Sequence, residues 1–341
     1  MGALRGGPLQ AATAGVCLVF FVVIISRWTP FAGTASSDTQ ENIATGDAPR
    51  HASQSWPTPD ARKFPANATV LQMQTEPPFL MVVPPEGFDM SVSRWLYGQR
   101  YFAPKETTIF RLLLERECGE ARRTGKRPPL VVDIGANMGY FTFYALALGC
   151  RVVSFEPQAV CHMFMQATAA INSIALTNQN DRFKLYKAVA SNVTGFFTLT
   201  VRGNSFGNTM VDQNFDEEVE DSVPALRLDD VIQLEGDDEI FLIKIDTEGH
   251  ECAVFPSMMK LFRSGKIRVI VAEIKRTCVE FKKKFFEEAR EMYDTYAYQE
   301  DYSIKPVRGG WPYDKWQSVG NQTFSDWMPP RWEDVVFIRK W

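Results

Sequence analysis

Two stretches of the chain bring together residue types that can do chemistry. The first is Asp133-Ile134-Gly135-Ala136-Asn137-Met138-Gly139-Tyr140. Its glycines let the backbone turn sharply and approach a ligand closely. A helix is expected to begin at once, offering unbonded N–H groups. The spacing is D-x-G-x-x-x-G rather than the G-x-G-x-x-G of dinucleotide sites. A carboxylate at the strand end repels a pyrophosphate and suits a cationic or hydroxyl-rich ligand. S-adenosylmethionine, with an ammonium, a sulfonium, a ribose and no phosphate, is such a ligand. About 20 residues on, Phe155-Glu156-Pro157 sets a second carboxylate where it can accept both hydroxyls of a ribose. A tight strand-to-helix turn would account for the first stretch alone but not for the pair, and a nicotinamide cofactor lacks its glycine pattern here.

The second stretch is Asp246-Thr247-Glu248-Gly249-His250-Glu251, to which Glu273 adds a carboxylate near the end of a later strand. Methyl transfer from sulfur to a hydroxyl is an in-line displacement. It needs oxygen, methyl and sulfur aligned and a base within reach of the hydroxyl proton. His250 suits that task by its reference pKa of about 6.5, and Asp246 suits it if burial raises its own. Clustered carboxylates also hold a divalent cation, which lowers the pKa of a bound hydroxyl. They also simply bind substrate hydroxyls, and Glu248 and Glu251 can cap the helix that follows. On the sequence these readings stand side by side. His162, inside an expected helix, reads as structural; His51 falls in a polar stretch and reads as inert.

These residues need elements to hold them. Leu130–Ile134, Arg151–Glu156, Phe183–Ala190, Glu239–Asp246, Ile267–Ile274 and Val335–Arg339 read as strands, and Gly195–Val201 as a hairpin arm. Helices are expected over Met138–Leu148, from Pro157 to about Ile174, over His250–Phe262 and over Val279–Tyr293, with Lys282–Lys284 on a wet face. Asp229 reads as a helix N-cap. Asn204–Thr209 reads as a polar loop or a lid, and Trp311, Trp316, Trp327 and Trp332 as a cover over the sheet edge or a sugar-facing surface. Alternating strands and helices predict an α/β fold whose ligands bind at the carboxyl ends of the strands.

Taken together, Val132–Phe141, Phe155-Glu156-Pro157 and Leu242–Glu251 resemble the motifs of the FkbM family. These are class I, S-adenosylmethionine-dependent methyltransferases that act on hydroxyl oxygens of sugars and natural products. The resemblance covers the chain from about Leu130 to Arg339. It implies a Rossmann-like, seven-stranded, mostly parallel sheet with helices on both faces, in the order 3-2-1-4-5-7-6 with the last strand antiparallel. It also implies cofactor binding at Asp133, Gly135, Asn137, Gly139 and Glu156, to which Tyr140 is added as the next motif residue. Two other functions fit the same motifs: a methyltransferase of lipid or protein at a membrane surface, and a non-catalytic module that kept the fold. The intact Asp133, paired glycines and Glu156 argue against the second of these.

Composition bounds the rest. At 341 residues, 45% hydrophobic and 23% charged, the chain is neither collagen-like nor wholly disordered. A net charge of −4 argues against a general nucleic-acid binder. Six cysteines are too sparse for a disulfide scaffold, and none forms the CxxC of common zinc sites. Between Arg5 and Arg27 lie 21 uncharged residues, apolar in their second half. The expected organisation is a signal anchor over 1–28, a stem over 29–78 and a methyltransferase domain over 79–341. A cleaved signal peptide, with its site at Gly33-Thr34-Ala35, is the competing reading. Sequons at Asn67, Asn192 and Asn321 fit a secretory route. The expected protein is thus a single-pass membrane protein of the Golgi or endoplasmic reticulum with a luminal domain, or one secreted after cleavage. Its expected partners are a glycan or small-molecule hydroxyl acceptor and the membrane, not nucleic acid.

Overall fold

The computed structural model describes residues 67–89, 91–176, 182–201, 209–215, 222–274, 279–297, 317–318 and 333–340, all within one compact unit, Ser55–Trp341. The anchor, His51, residues 204–208, Asn321 and the four C-terminal tryptophans lie outside the described residues. Among the described residues no helix is long and apolar enough to cross a membrane.

The chain opens with β1 (Thr69–Gln72), β2 (Leu80–Val83), α1 (Val92–Gln99) and α2 (Pro104–Thr124). Next come β3 (Leu130–Ile134), α3 (Tyr140–Leu148), β4 (Arg151–Phe155), α4 (Ala159–Ile171) and β5 (Phe183–Tyr186). A smaller sheet follows, made of β6 (Val189–Ala190), β7 (Gly195–Val201), β8 (Thr209–Phe215) and β9 (Val223–Leu226). The chain then runs through α5 (Leu228–Val231), β10 (Ile240–Ile245), α6 (Glu251–Ser257), α7 (Met259–Arg263), β11 (Ile267–Ile274), α8 (Val279–Met292), β12 (Tyr293–Ala297), β13 (Gln317–Ser318) and β14 (Glu333–Arg339).

The main sheet has the order β13-β12-β14-β11-β10-β3-β4-β5. Without the two-residue β13 at its edge, this is the seven-stranded order implied by the motifs. The strands β5, β4, β3, β10 and β11 are parallel, and β14 runs antiparallel to both β11 and β12. The strands β3, β4 and β10 are buried along their whole length, because helices cover both faces. Alternation sends Val131 and Leu242 to the core under α2, α3 and α4, and Val132 and Ile243 to the core under α6, α7 and α8.

Three features differ from the sequence expectation. The run Phe183–Ala190 is two strands, since β6 leaves the main sheet to pair with β9. The helix expected over His250–Phe262 is broken in two; Pro256, lacking an N–H, sits near the end of α6. Asp229 caps across to α7, accepting from the main-chain N–H groups of Lys260 and Leu261 at 3.0 and 2.9 Å. Finally, the fold begins before residue 79. The β1–β2 hairpin buries Leu71 and Met73, and the Val82 N–H donates to Thr168 Oγ1 on α4 at 2.9 Å. The cysteines, read as too few for a scaffold, still form a bond: Cys118 on α2 is joined to Cys150 just before β4, and Cys252 is also disulfide-bonded.

Candidate active site

A cavity of about 280 Å³ opens where β3, β4 and β10 end. On one side lies the glycine loop. Gly135 takes φ +76°, and a Cβ there would overlap the main-chain carbonyl of Asp246 on the neighbouring strand end. The Gly135 and Ala136 N–H groups donate to the Phe155 carbonyl at 3.0 and 3.1 Å. Asn137 is left-handed, at φ 52°. Its side-chain Oδ1 accepts from the Met138 N–H at 2.7 Å, and its own N–H donates to Glu156 Oε2 at 2.8 Å. Glu156 Oε1 accepts from the Gln158 N–H at 2.9 Å.

Glu156 is 2% exposed yet lines the cavity. Burial pushes its carboxyl up to about 7, against the pull of the two N–H donors. A carboxylate has room for more than these two donors, which suits a vicinal diol. The ring of Tyr140 lines the wall beside Phe102 and Phe141, while its hydroxyl is engaged by Thr107.

Two expected contact residues do not line the cavity. Gly139 serves the turn instead: at φ +84° it starts α3, and a Cβ there would come within 2.8 Å of the Phe143 ring. Asp133 is fully buried, because strand alternation points it beneath α3. Its Oδ2 accepts from Thr142 Oγ1 at 2.7 Å, while its Oδ1 has no hydrogen-bond partner among the described residues. Burial raises the Asp133 pKa, opposed by the nearby Lys244 ammonium.

Across the cavity lies the loop after β10. Asp246 and Glu248 line the cavity, and their carboxylate oxygens and one of Glu273 lie within 4.8 Å of one another. Glu248 holds φ 54°, a left-handed backbone that glycine adopts more readily. The loop is pinned by Glu251 rather than capped by it in the usual sense. Glu251 Oε1 accepts from the Thr247 and Gly249 N–H groups, at 3.3 and 2.9 Å, and from Thr247 Oγ1 at 3.1 Å.

His250 also lines the cavity, edge-on to Phe197 at 5.5 Å, with Nε2 buried and unpartnered among the described residues. The expectation that it titrates near neutrality is not met. Burial lowers its pKa to about 4, which keeps it neutral at pH 7 and makes it a poor proton acceptor. His162 is buried on α4, as its reading as structural requires.

Two groups were missed. Lys244 interrupts the apolar run of β10 and lines the cavity, its Nζ donating to Asp246 Oδ2 at 3.1 Å. A lysine two residues before Asp246 in a buried strand was the available signal. The second is the cavity-facing role of the β7–β8 arm, which was expected as a hairpin arm with a polar loop or lid at Asn204–Thr209. Leu199, Thr209 and Val211 close the cavity from above, and Thr209 Oγ1 donates to Gln158 Oε1 at 2.8 Å. Oxygen ligands alone, as at Asp246, Glu248 and Glu273, fit a hard divalent cation.

A family model, the methyltransferase FkbM domain, matches residues 133–300. Comparison with curated proteins gives no match. Among solved structures, methyltransferase FkbM from Methylobacillus flagellatus KT aligns at 16% identity and TM-score 0.39, covering 62% of this chain and 44% of that one. The structure of WbdD with a kinase inhibitor aligns at 12% identity and TM-score 0.38, covering 75% of this chain and 45% of that one. An rRNA methylase from Streptococcus thermophilus aligns at 10% identity and TM-score 0.36, covering 70% of this chain and 98% of that one. The chain thus spans under half the length of the first two. The assignment rests on the sequence match: the domain carried by residues 133–300 belongs to the FkbM methyltransferase family.

Proposed function

We propose that the cavity binds S-adenosylmethionine and serves methyl transfer to a hydroxyl of a glycan or other hydroxylated metabolite. The observation that carries the reading is Glu156. A buried carboxylate just past β4, fixed by one main-chain N–H on each oxygen, lines a cavity that the glycine loop borders. When bound, the cofactor supplies a methyl group made electrophilic by its sulfonium. Glu156 accepts the ribose hydroxyls, and the main chain of Gly135–Asn137 lies against the nucleoside. The acidic loop after β10 draws the cationic end toward Asp246 and Glu248. Asp246 Oδ1 takes the acceptor's hydroxyl proton while Oδ2 stays on the Lys244 ammonium. The β7–β8 arm excludes water from above. The carboxylate, not His250, is assigned the proton, since a conjugate acid of pKa about 4 gives the imidazole no advantage.

A second reading, favoured by the convergence of Asp246, Glu248 and Glu273, has a divalent cation between them lowering the acceptor's pKa. Chelation would then abolish turnover, and an added divalent ion would restore it.

The proposed setting is the secretory lumen, with the uncharged segment after Arg5 as anchor. The Cys118–Cys150 disulfide supports an oxidising compartment, and Asn192 of the second sequon is exposed. The test of the acceptor uses the full chain with methyl-labelled cofactor and separate pools of glycan, lipid and protein. Label is expected in glycan; label confined to lipid or protein would overturn the acceptor assignment.

A further inference from the structure

Among the described residues lining the cavity, Lys244 is the one lysine or arginine, where Glu156, Asp246 and Glu248 supply acid. Its side chain is 7% exposed, and Nζ stands 5.1 Å from the centre of the Phe141 ring. The β10–β3 register sets Lys244 beside Asp133, and the β3–β4 register sets Asp133 beside Ser154, so one polar row crosses an otherwise apolar sheet face.

An ammonium carries three donors. The described residues give this one a single hydrogen-bond acceptor, Asp246 Oδ2. Desolvated donors left without acceptors are costly, and charged ones more so. Among the described residues the site therefore lacks a further acceptor for this ammonium on the cavity side.

The proposed cofactor ends in a zwitterion. With the ribose on Glu156 past β4, an amino-acid end laid across β3 would reach the groups past β10, two strands over. Its ammonium has Asp246 and Glu248 to meet. Its carboxylate, among the described residues lining the cavity, has one cation to meet. We propose that Lys244 receives the methionine carboxylate of S-adenosylmethionine, so that the enzyme reads the amino-acid end as well as the nucleoside. The inference rests on the cofactor reading above and deepens it. It makes Lys244 a cofactor-binding residue rather than only a clamp on Asp246.

Calorimetry on the full chain separates the two. The ligands are S-adenosylhomocysteine, its decarboxylated analogue and 5′-methylthioadenosine. The wild-type chain should bind S-adenosylhomocysteine about tenfold to a hundredfold more tightly than the decarboxylated analogue, the range of a charged hydrogen bond. Lys244→Met should erase that preference and leave 5′-methylthioadenosine binding unchanged, which also reports that the variant is folded. Lys244→Gln, uncharged but polar, should show most of the same loss where methionine is not tolerated. Equal binding of the first two ligands by the wild-type chain, or a preference that survives in the variants, overturns the inference and leaves the cofactor reading standing. Binding of none of the three overturns both.

Discussion

The two loops that meet over the ends of β3 and β10 are built in opposite ways. The loop after β3 presents main chain. Its side chains turn inward or hold one another, and the carboxylate that steadies it, Glu156, comes from the next strand. The loop after β10 presents side chains. Its main chain is tied down by its own Glu251, which leaves Asp246, Glu248 and His250 to face the cavity. The first loop is a surface for binding, where backbone shape matters most. The second is a surface for chemistry, where individual functional groups do. Asp133 fits this division: a carboxylate inside β3, before the binding loop, supports the fold from beneath, while Asp246, one strand over, reaches the ligand side.

The largest expected effect comes where the loops touch. Gly135→Ala pushes a methyl into the Asp246 carbonyl at a left-handed backbone position, so the loops must separate. Cofactor binding should fall below detection in calorimetry. Next in size, Asp246→Asn should weaken cofactor binding by no more than about tenfold, since Glu248 remains to meet the ammonium, and lower turnover by about 10²- to 10⁴-fold, the usual reach of a general base. Loss of binding together with turnover would erase the distinction between the loops.

A smaller effect follows from Glu156. Its pKa is raised from 4.5 to about 7 in the fold, so the carboxylate, which accepts two hydroxyls, gains population as pH rises through 7. Cofactor affinity should therefore increase between pH 6 and pH 8, an increment of about a few-fold to tenfold, and Glu156→Gln should flatten it. The same shift works the other way on stability. The folded state holds the proton above the pH at which the unfolded chain releases it, so this group's contribution is present below about 4.5 and is lost as pH rises through about 7. The smallest effect is expected at His250. With a pKa near 4 it does not titrate in the working range, and His250→Ala should change turnover by less than about tenfold with no shift in the pH profile. A larger drop would return the proton to the imidazole.

The same division decides what could be read in advance. The parallel strands followed from apolar runs ended by turn residues, their order came from the family resemblance, and the binding loop followed from its glycines and Glu156, since backbone demands leave a mark in residue type. Left-handed Asn137 and Glu248 left no such mark. Asp133 was misplaced because strand alternation, not motif membership, decides which face a side chain takes. Lys244 and Thr209 escaped because their importance lies in partners far along the chain, Asp133 across the sheet and Gln158 beneath the arm. The β1–β2 hairpin was read as stem because its four-residue strands are too short to show a period.

The central claim is that the cavity between these loops is a cofactor site whose shape depends on their close approach. Titration of S-adenosylhomocysteine into the full chain and into Gly135→Ala at pH 8 tests it directly. The account predicts single-site binding by the wild-type chain and none by the variant. No heat from the wild-type chain, or equal affinity in both, would contradict it.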